Sequence, residues 1–482
     1  MPVTQLPIAN GFYVSDSLPI AAQECTNWYP NIVQGTGLSQ ETLFGTPGLE
    51  QLATSGTLDN VNRGAHEMAG KPYFVNGERL YRLDETVVDS TTSYSLTFIG
   101  DIAGTSRVSM ADNGTQLMIL VPGGNGYIYN HVTDTFSQIT DTDFTANGNP
   151  QFVVFIDGYF LVTTDSKKFI VSAINDGLSY NALDFGTAES DPDDIVAPVV
   201  YKNQLFISGG ETFEAFQNIG GADFPFQRTG LFLQKGCYAP YSLVNAQDTF
   251  MWVGGGENEG PAIWALSGNS TVKVSTTAID SLLSTLTDAA VADIYSWAYA
   301  SKGAYFIGFS LPSTTLVYDI TSKRWHERKS FLSGALGAFR VSSVVKAYNK
   351  ILCGDIIDGR IGNLDPNVYV EYENPIIRTV ATQPFQNNMQ SVFFPSLELT
   401  VESGVGNSDV VDPVITLQRS TDGKTWGEPR ARSMGKIGEY NRRAIWRRNG
   451  RASRFEVFRF TLTDAVKPVI IQLTANIMGG DK

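Results

Sequence analysis

The sequence predicts an all-β protein: a β-propeller with an extended N-terminal arm and a C-terminal antiparallel β-sandwich. Three observations lead there. A hairpin pattern, made of an apolar strand, a Gly-rich or polar turn and a second apolar strand, recurs about every 45 residues between residues 71 and 364, the spacing of propeller blades. The chain carries 46 Gly, 28 Phe and 20 Tyr in 482 residues, which suits tight turns between half-buried strands. Beyond about residue 391 the period is lost while apolar–polar alternation continues, as in sheets with one buried face. A chain of this length is expected to form more than one core.

Residues 1–57 read as arm and loops, because Pro2, Pro7, Pro19, Pro30 and Pro47 interrupt them and a proline lacks the N–H that a central strand needs. Residues 58–390 hold the repeats. With Phe74, Met118, Leu161, Phe206, Met251, Phe306 and Leu352 taken as equivalent, the gaps are 44, 43, 45, 45, 55 and 46. One four-stranded blade cannot bury both faces alone, so blades stack round an axis. Six blades are expected, with seven as the alternative, since one of the seven hairpins can belong to the sandwich junction. First-strand signals precede several hairpins: RVSMA at 107–111, QFVVF at 151–155, PVVY at 198–201, SWAY at 296–299 and AFRV at 338–341.

The gap of 55 contains TTAIDSLLSTLTDAAVADIYS (276–296), where Ile279, Leu282, Leu283 and Leu286 have helical spacing and Thr287-Asp288 can cap a second turn. This insertion is expected to pack on the propeller rim or to contact a neighbouring subunit. The sandwich, residues 391–482, is expected to use strands within 391–403, 412–426, 442–451, 454–464 and 467–477.

Composition excludes several classes. Net charge is −14, which argues against a general nucleic-acid binder. Cys25, Cys237 and Cys353 lack zinc spacing and are odd in number, so three buried free thiols are expected. Only His66, His131 and His326 are present, so a histidine-rich metal site is not expected. No cofactor is expected either. There is no signal-peptide pattern at the start and no apolar run of 18 residues, so membrane insertion is not expected.

Local motifs are mostly structural in character. RSTDGKTW (419–426) contains Asp422-Gly423, a hairpin turn signal; it also looks like a shortened sialidase Asp-box, but lies outside the repeats. GGGENEG (254–260) lacks the Lys-Ser/Thr of a P-loop and reads as a loop between strands. TAESDPDD (187–194) reads as a solvated acidic loop. The charge distribution is more informative. Residues 419–459 hold twelve Lys/Arg against four Asp/Glu, a balance of +8 that leaves −22 for the rest of the chain. Such polarity points to an acidic partner surface. The absence of an aromatic platform favours protein over nucleic acid. The candidate contact residues are Arg442, Arg443, Arg447, Arg448, Arg451 and Arg454, facing an adaptor or a neighbouring subunit. Their charge could complement the acidic body of another copy.

Ordered islands along nearly the whole chain carry a resemblance. They are MPVTQLPIANG, Cys25-Thr26-Asn27-Trp28-Tyr29-Pro30, Gly45-Thr46-Pro47-Gly48-Leu49, Arg63-Gly64, Arg107-Val108-Ser109-Met110-Ala111, Gln234-Lys235-Gly236, Leu316-Val317-Tyr318-Asp319 and the stretch Ala444 to Arg451. Together they resemble tail-nozzle proteins of short-tailed phages, also called tail hubs or packaged-DNA stabilisation proteins. The resemblance implies a virion tail protein with no catalytic residues. It implies a homo-hexameric ring below the head-to-tail adaptor, enclosing the exit channel for duplex DNA, with tailspikes or tail fibres at its side and a plug or needle at its tip. Residues 187–194 and 403–413 have no counterpart in that pattern. A lumen of low positive charge suits DNA passage, because phosphate contacts would hold the duplex. The alternative is a glycan-binding or sialidase-like propeller, either catalytic or a plain carbohydrate-binding module. A pair of carboxylates with an arginine cluster in an axial cleft would distinguish the catalytic form.

Overall fold

The computed structural model describes residues 3–33, 35–56, 60–188, 193–221, 224–386 and 390–479. Within them the repeats form seven blades. Blade 1 runs Asn62–Met68, Lys71–Asn76, Arg79–Val88 and Thr91–Asp101. Blades 2, 3 and 4 begin with Ser109–Asp112, Pro150–Ile156 and Ala197–Tyr201, and end with Thr135–Gln138, Asp176–Thr187 and Phe226–Leu233. Blade 5 is built on Thr249–Gly255, Ala262–Ser267 and Ser270–Lys273, with Gly236–Cys237 and Val244–Ala246 pairing along its inner side. Blade 6 spans Tyr295–Ser301 to Arg324–Leu332. Blade 7 takes Val341–Ala347, Lys350–Asp355 and Arg360–Asp365 from one end of the repeat region and Gly48–Thr54 from the other. The innermost strands of blades 7 and 1 touch, which closes the circle.

The expected count of six blades is therefore corrected to seven. The seventh hairpin has no fourth strand near it in sequence, so it reads as a junction. Gly48–Thr54 supplies that strand from more than 300 residues away, antiparallel to Arg360–Asp365. All seven equivalent positions, from Phe74 to Leu352, lie in the second strand of a blade and are at most 1% exposed. Burial of the same strand in every blade explains why the period is legible.

The first 57 residues are more than an arm. Val3–Leu6 pairs with Val469–Gly479, and the hairpin Trp28–Ile32 with Glu41–Gly45 joins the same sheet. Pro30 is tolerated because Trp28–Ile32 is the edge strand. This sheet also holds Val392–Val401 and Ala444–Arg447. It faces a second sheet of Arg378–Ala381, Phe455–Leu462, Val414–Ser420 and Arg430–Ser433. The short strand Cys25–Thr26 continues that second sheet into blade 6, parallel to Arg324–Leu332 and antiparallel to Arg378–Ala381. Trp28 and Leu43 share one core with Leu397, Leu417, Trp446, Phe460 and Leu473. The N-terminal segment thus enters both bodies. The ends 57 and 58 of the expected units lie outside the described residues.

The insertion forms α1 (Thr277–Ser284) and α2 (Asp288–Ala292). Thr276 and Thr287 cap them, each hydroxyl accepting from a backbone N–H of the first turn. Ile279 and Leu283 are buried in the core shared by blades 5 and 6, so the helices pack on the rim. The AFRV signal ends where its strand begins, at Val341.

Candidate functional site

The basic stretch lies on the open edges of the sandwich. Arg430–Ser433 is the edge strand of one sheet and Ala444–Arg447 that of the other. Arginines stitch the two edges together. Arg432 Nε donates to the Ile445 carbonyl at 2.7 Å, Arg430 Nη1 donates to the Arg447 carbonyl at 3.3 Å, and Trp446 Nε1 donates to the Arg430 carbonyl at 2.6 Å. Cationic edges also resist uncontrolled strand pairing.

Between Ala444–Arg447 and Arg451–Ala452 the chain makes a tight turn. Asn449, fully buried, is its keystone. Its side-chain N–H₂ donates to the Trp446 carbonyl at 2.9 Å, its Oδ1 accepts from Arg430 Nη2, and its backbone N–H donates to Phe394 at 3.0 Å. These bonds hold Arg448 at φ +59°, a left-handed conformation that costs a non-glycine residue about 1 kcal/mol. Arg447 and Arg448 consequently project outward, as do Arg451 and Arg454.

All six arginines named from the sequence are exposed, but they are not equivalent. Arg443 is already paired with Glu398, with N···O distances of 2.6 and 2.5 Å. Arg451 leans over the exposed Phe393 ring and donates to Ser391. Arg442, Arg447, Arg448 and Arg454 form no ion pair among the described residues. Burial lowers the pKa of the neighbouring Arg430, and the like charges of Arg419 and Arg432 lower it further. The turn therefore concentrates positive charge without an internal counterion. Outside the turn, Arg419 is bonded at 2.8 Å to the buried Glu456 and Arg459 lies 3.8 Å from Glu24.

Sequence reasoning missed the arginine stitches and Asn449, because both depend on two sheets meeting. The turn at Asp422 is structural. Its carboxylate accepts the N–H groups of Lys424 and Thr425, each at 2.7 Å, which hold it below the usual carboxylate range. The strands flanking it end at Ser420 and resume at Arg430, so it is a longer loop than a two-residue hairpin. The Gly-rich run 254–260 is only partly a loop. Gly254 lies in a strand against the Gly236 carbonyl, where a Cβ would sit 1.9 Å from the oxygen. Cys25, Cys237 and Cys353 are buried free thiols, and burial raises each pKa. Residues 189–192 of the acidic loop lie outside the described residues.

The propeller axis is closed by side chains. Arg107, at the start of blade 2, donates to the Ser342 hydroxyl of blade 7 at 3.0 Å and stacks 3.5 Å from the Tyr295 ring of blade 6. Tyr241 donates to the Arg107 carbonyl at 2.6 Å and packs on Phe152 of blade 3. The remaining axial cleft, about 470 Å³, includes Arg63 and His66 and is lined by no carboxylate. The Arg63 guanidinium is spent on the carbonyls of Gly77, Ile102, Ala103 and Ser106. His66 is bonded at 2.7 Å to Asp112. The carboxylate pair that glycoside hydrolysis requires is thus missing from this cleft among the described residues. A larger cleft of about 800 Å³ lies where blade 6 meets the sandwich. Its Glu327 is consumed by Lys329, Thr314 and Thr26 at 2.9, 2.8 and 3.1 Å.

Among solved structures, the WD40 propeller domain of Doa1 matches with 13% identity and a TM-score of 0.40, covering 65% of this chain and 97% of that one. The designed protein Ika8 matches with 12% identity and a TM-score of 0.38, over 66% and 99%. Of characterised relatives, tail hub protein gp10 of Salmonella phage P22 is 23% identical over 482 residues, covering 95% of this chain and 96% of that protein. The family model for the bacteriophage P22 Gp10 β-propeller matches residues 4–369, and that for the Gp10 β-sandwich matches 377–478. With both modules present in order over nearly its whole length, the chain belongs to the bacteriophage P22 Gp10 family.

Proposed function

We propose that this protein is a tail hub, or nozzle, of a short-tailed phage: a structural component of the virion tail and not an enzyme. The observation that carries this reading is the ordered match of both Gp10 modules, supported by the tail hub relative along 95% of the chain. In this reading six copies form a ring below the head-to-tail adaptor. The ring extends the duplex exit channel, retains packaged DNA, and anchors tailspikes or fibres and a tip plug.

Two physical features support a ring. Arg107, Tyr241 and Tyr295 fill the propeller axis, so a conduit for a duplex has to be built between copies. The chain is strongly acidic, at −14, and an acidic lumen would not trap phosphates. The exposed arginines of residues 442–454 suit a protein contact, with the adaptor or an adjacent copy, away from the DNA path.

The test is negative-stain electron microscopy of the purified protein, with and without the portal–adaptor complex from the same phage. Six-fold rings, free or seated on the adaptor, are the expected outcome. Protein that never joins the adaptor would refute the reading.

A further inference from the structure

The molecule has two opposite electrostatic poles at opposite ends. Residues 419–459, at +8, lie wholly in the sandwich, which is joined to blade 6 through Cys25–Thr26. Residues 134–188 and 193–194 carry nine Asp/Glu against two Lys, a balance of −7. This stretch runs from the outer strand of blade 2 through blade 3 to the start of blade 4. Round a circle of seven, blades 2 and 3 are each three blades from blade 6, as far away as any blade can be. Neither pole can neutralise the other within one molecule.

Both poles also have the make-up of a contact surface. None of the acids of 134–188 or 193–194 forms an ion pair among the described residues. Beside them Val132, Ile174 and Leu183 are 70%, 65% and 78% exposed. At the basic pole Phe393 and Met478, paired across adjacent strands, are 41% and 42% exposed next to Arg451. Large apolar side chains among unpaired charges mark a recognition surface more than a solvated one.

We infer that the arginine turn of one copy, with Phe393, docks on the acidic flank of blades 2 and 3 of the next copy. This rests on the tail hub reading and assigns the ring's subunit contact. Like poles repel, so a two-fold contact of either pole with itself is disfavoured. Opposite poles give a head-to-tail contact, which leaves one free pole at each end and grows until it closes as a ring. The Arg443–Glu398 pair is already satisfied and contributes little.

The test uses two variants of the full chain, Arg447→Glu with Arg448→Glu, and Asp184→Lys with Asp194→Lys. Among the described residues all four side chains make no hydrogen bond and lie at the surface or partly so, and circular dichroism checks folding. Self-association is followed by sedimentation velocity over a range of protein and salt concentrations. Each variant alone should associate at least about 10-fold more weakly than wild type, because a repulsive pair replaces an attractive one. Added salt should weaken wild-type association. An equimolar mixture of the two variants should associate more tightly than either variant alone, since the basic pole of one meets the acidic pole of the other and the reversed side chains are again opposite in charge. Variants that associate like wild type, a mixture that associates no more tightly than either variant alone, or a wild type that never self-associates would each overturn this contact. Seating of wild type on the portal–adaptor complex, measured separately, decides the tail hub reading itself.

Discussion

Glu371 provides a sharp test of how the N-terminal segment is locked into the propeller. It is 2% exposed and sits in the short strand that runs parallel to Leu49 of the closing strand. Burial pushes its pKa up from 4.5 to about 7. A hydrogen bond from Ser330 and the charges of Arg340 and Arg378 oppose the rise, and Asp355 adds to it. The folded protein thus keeps this proton to a higher pH than the unfolded chain. Stability from this group is complete below pH 4.5 and is lost as pH rises toward about 7. The rise from 4.5 to about 7 corresponds to about 3 kcal/mol between pH 4.5 and pH 8. Glu371→Gln removes the titration. For 482 residues, an unfolding entropy of about 2 cal/mol/K per residue turns 3 kcal/mol into a shift of about 3 °C. Differential scanning calorimetry at both pH values should therefore find the Gln variant gaining about 3 °C on wild type at pH 8 relative to pH 4.5. Parallel Tm profiles for the two proteins would refute the assignment of a buried, proton-retaining carboxyl here.

Four further outcomes are expected. Asn449→Ala should destabilise the sandwich by about 1–3 kcal/mol in denaturant titration, because Arg430 and the Trp446 carbonyl lose their buried partner. Asp355→Ala should cost about 3–5 kcal/mol in the same assay, since Arg340, 1% exposed, loses its 2.6 Å partner and keeps only Asp358 at 3.4 Å. Gly254→Ala should destabilise blade 5 by at least about 1–3 kcal/mol, seen as a lower Tm, because the new methyl meets the Gly236 carbonyl. A chain lacking residues 1–54 should give an expanded, protease-sensitive product, because it loses the closing strand of blade 7 and the Trp28 and Leu43 part of the sandwich core together.

The blade period was legible in sequence because each second strand is buried on both faces, so Phe74, Met118 and their five equivalents recur as apolar runs. The sandwich strands were legible for a related reason: Leu397-Leu399-Val401 and Phe458-Phe460-Leu462 line a single core. The helices were betrayed by the helical spacing of Ile279 and Leu283 and by the Thr287 cap, whereas the Thr276 cap of α1 emerged only in the structure. Charge segregation at residues 419–459 needed no structure either, since it is a property of the string.

The blade count, the partners of the N-terminal segment and the arginine turn were decided by tertiary structure alone. Gly48–Thr54 has no local feature marking it as the fourth strand of blade 7, because strand pairing is a contact between backbones and leaves little trace in side-chain pattern. Arg107 looks like any surface arginine until Tyr295 and Ser342, far away in sequence, are brought to the axis. Likewise the opposition of the two charged poles depends on closing seven blades into a circle. Sequence determines which residues must be buried and which carry charge, through local periodicity and composition. Only the closed fold determines which distant backbones meet, and therefore which charges are left facing outward without a partner.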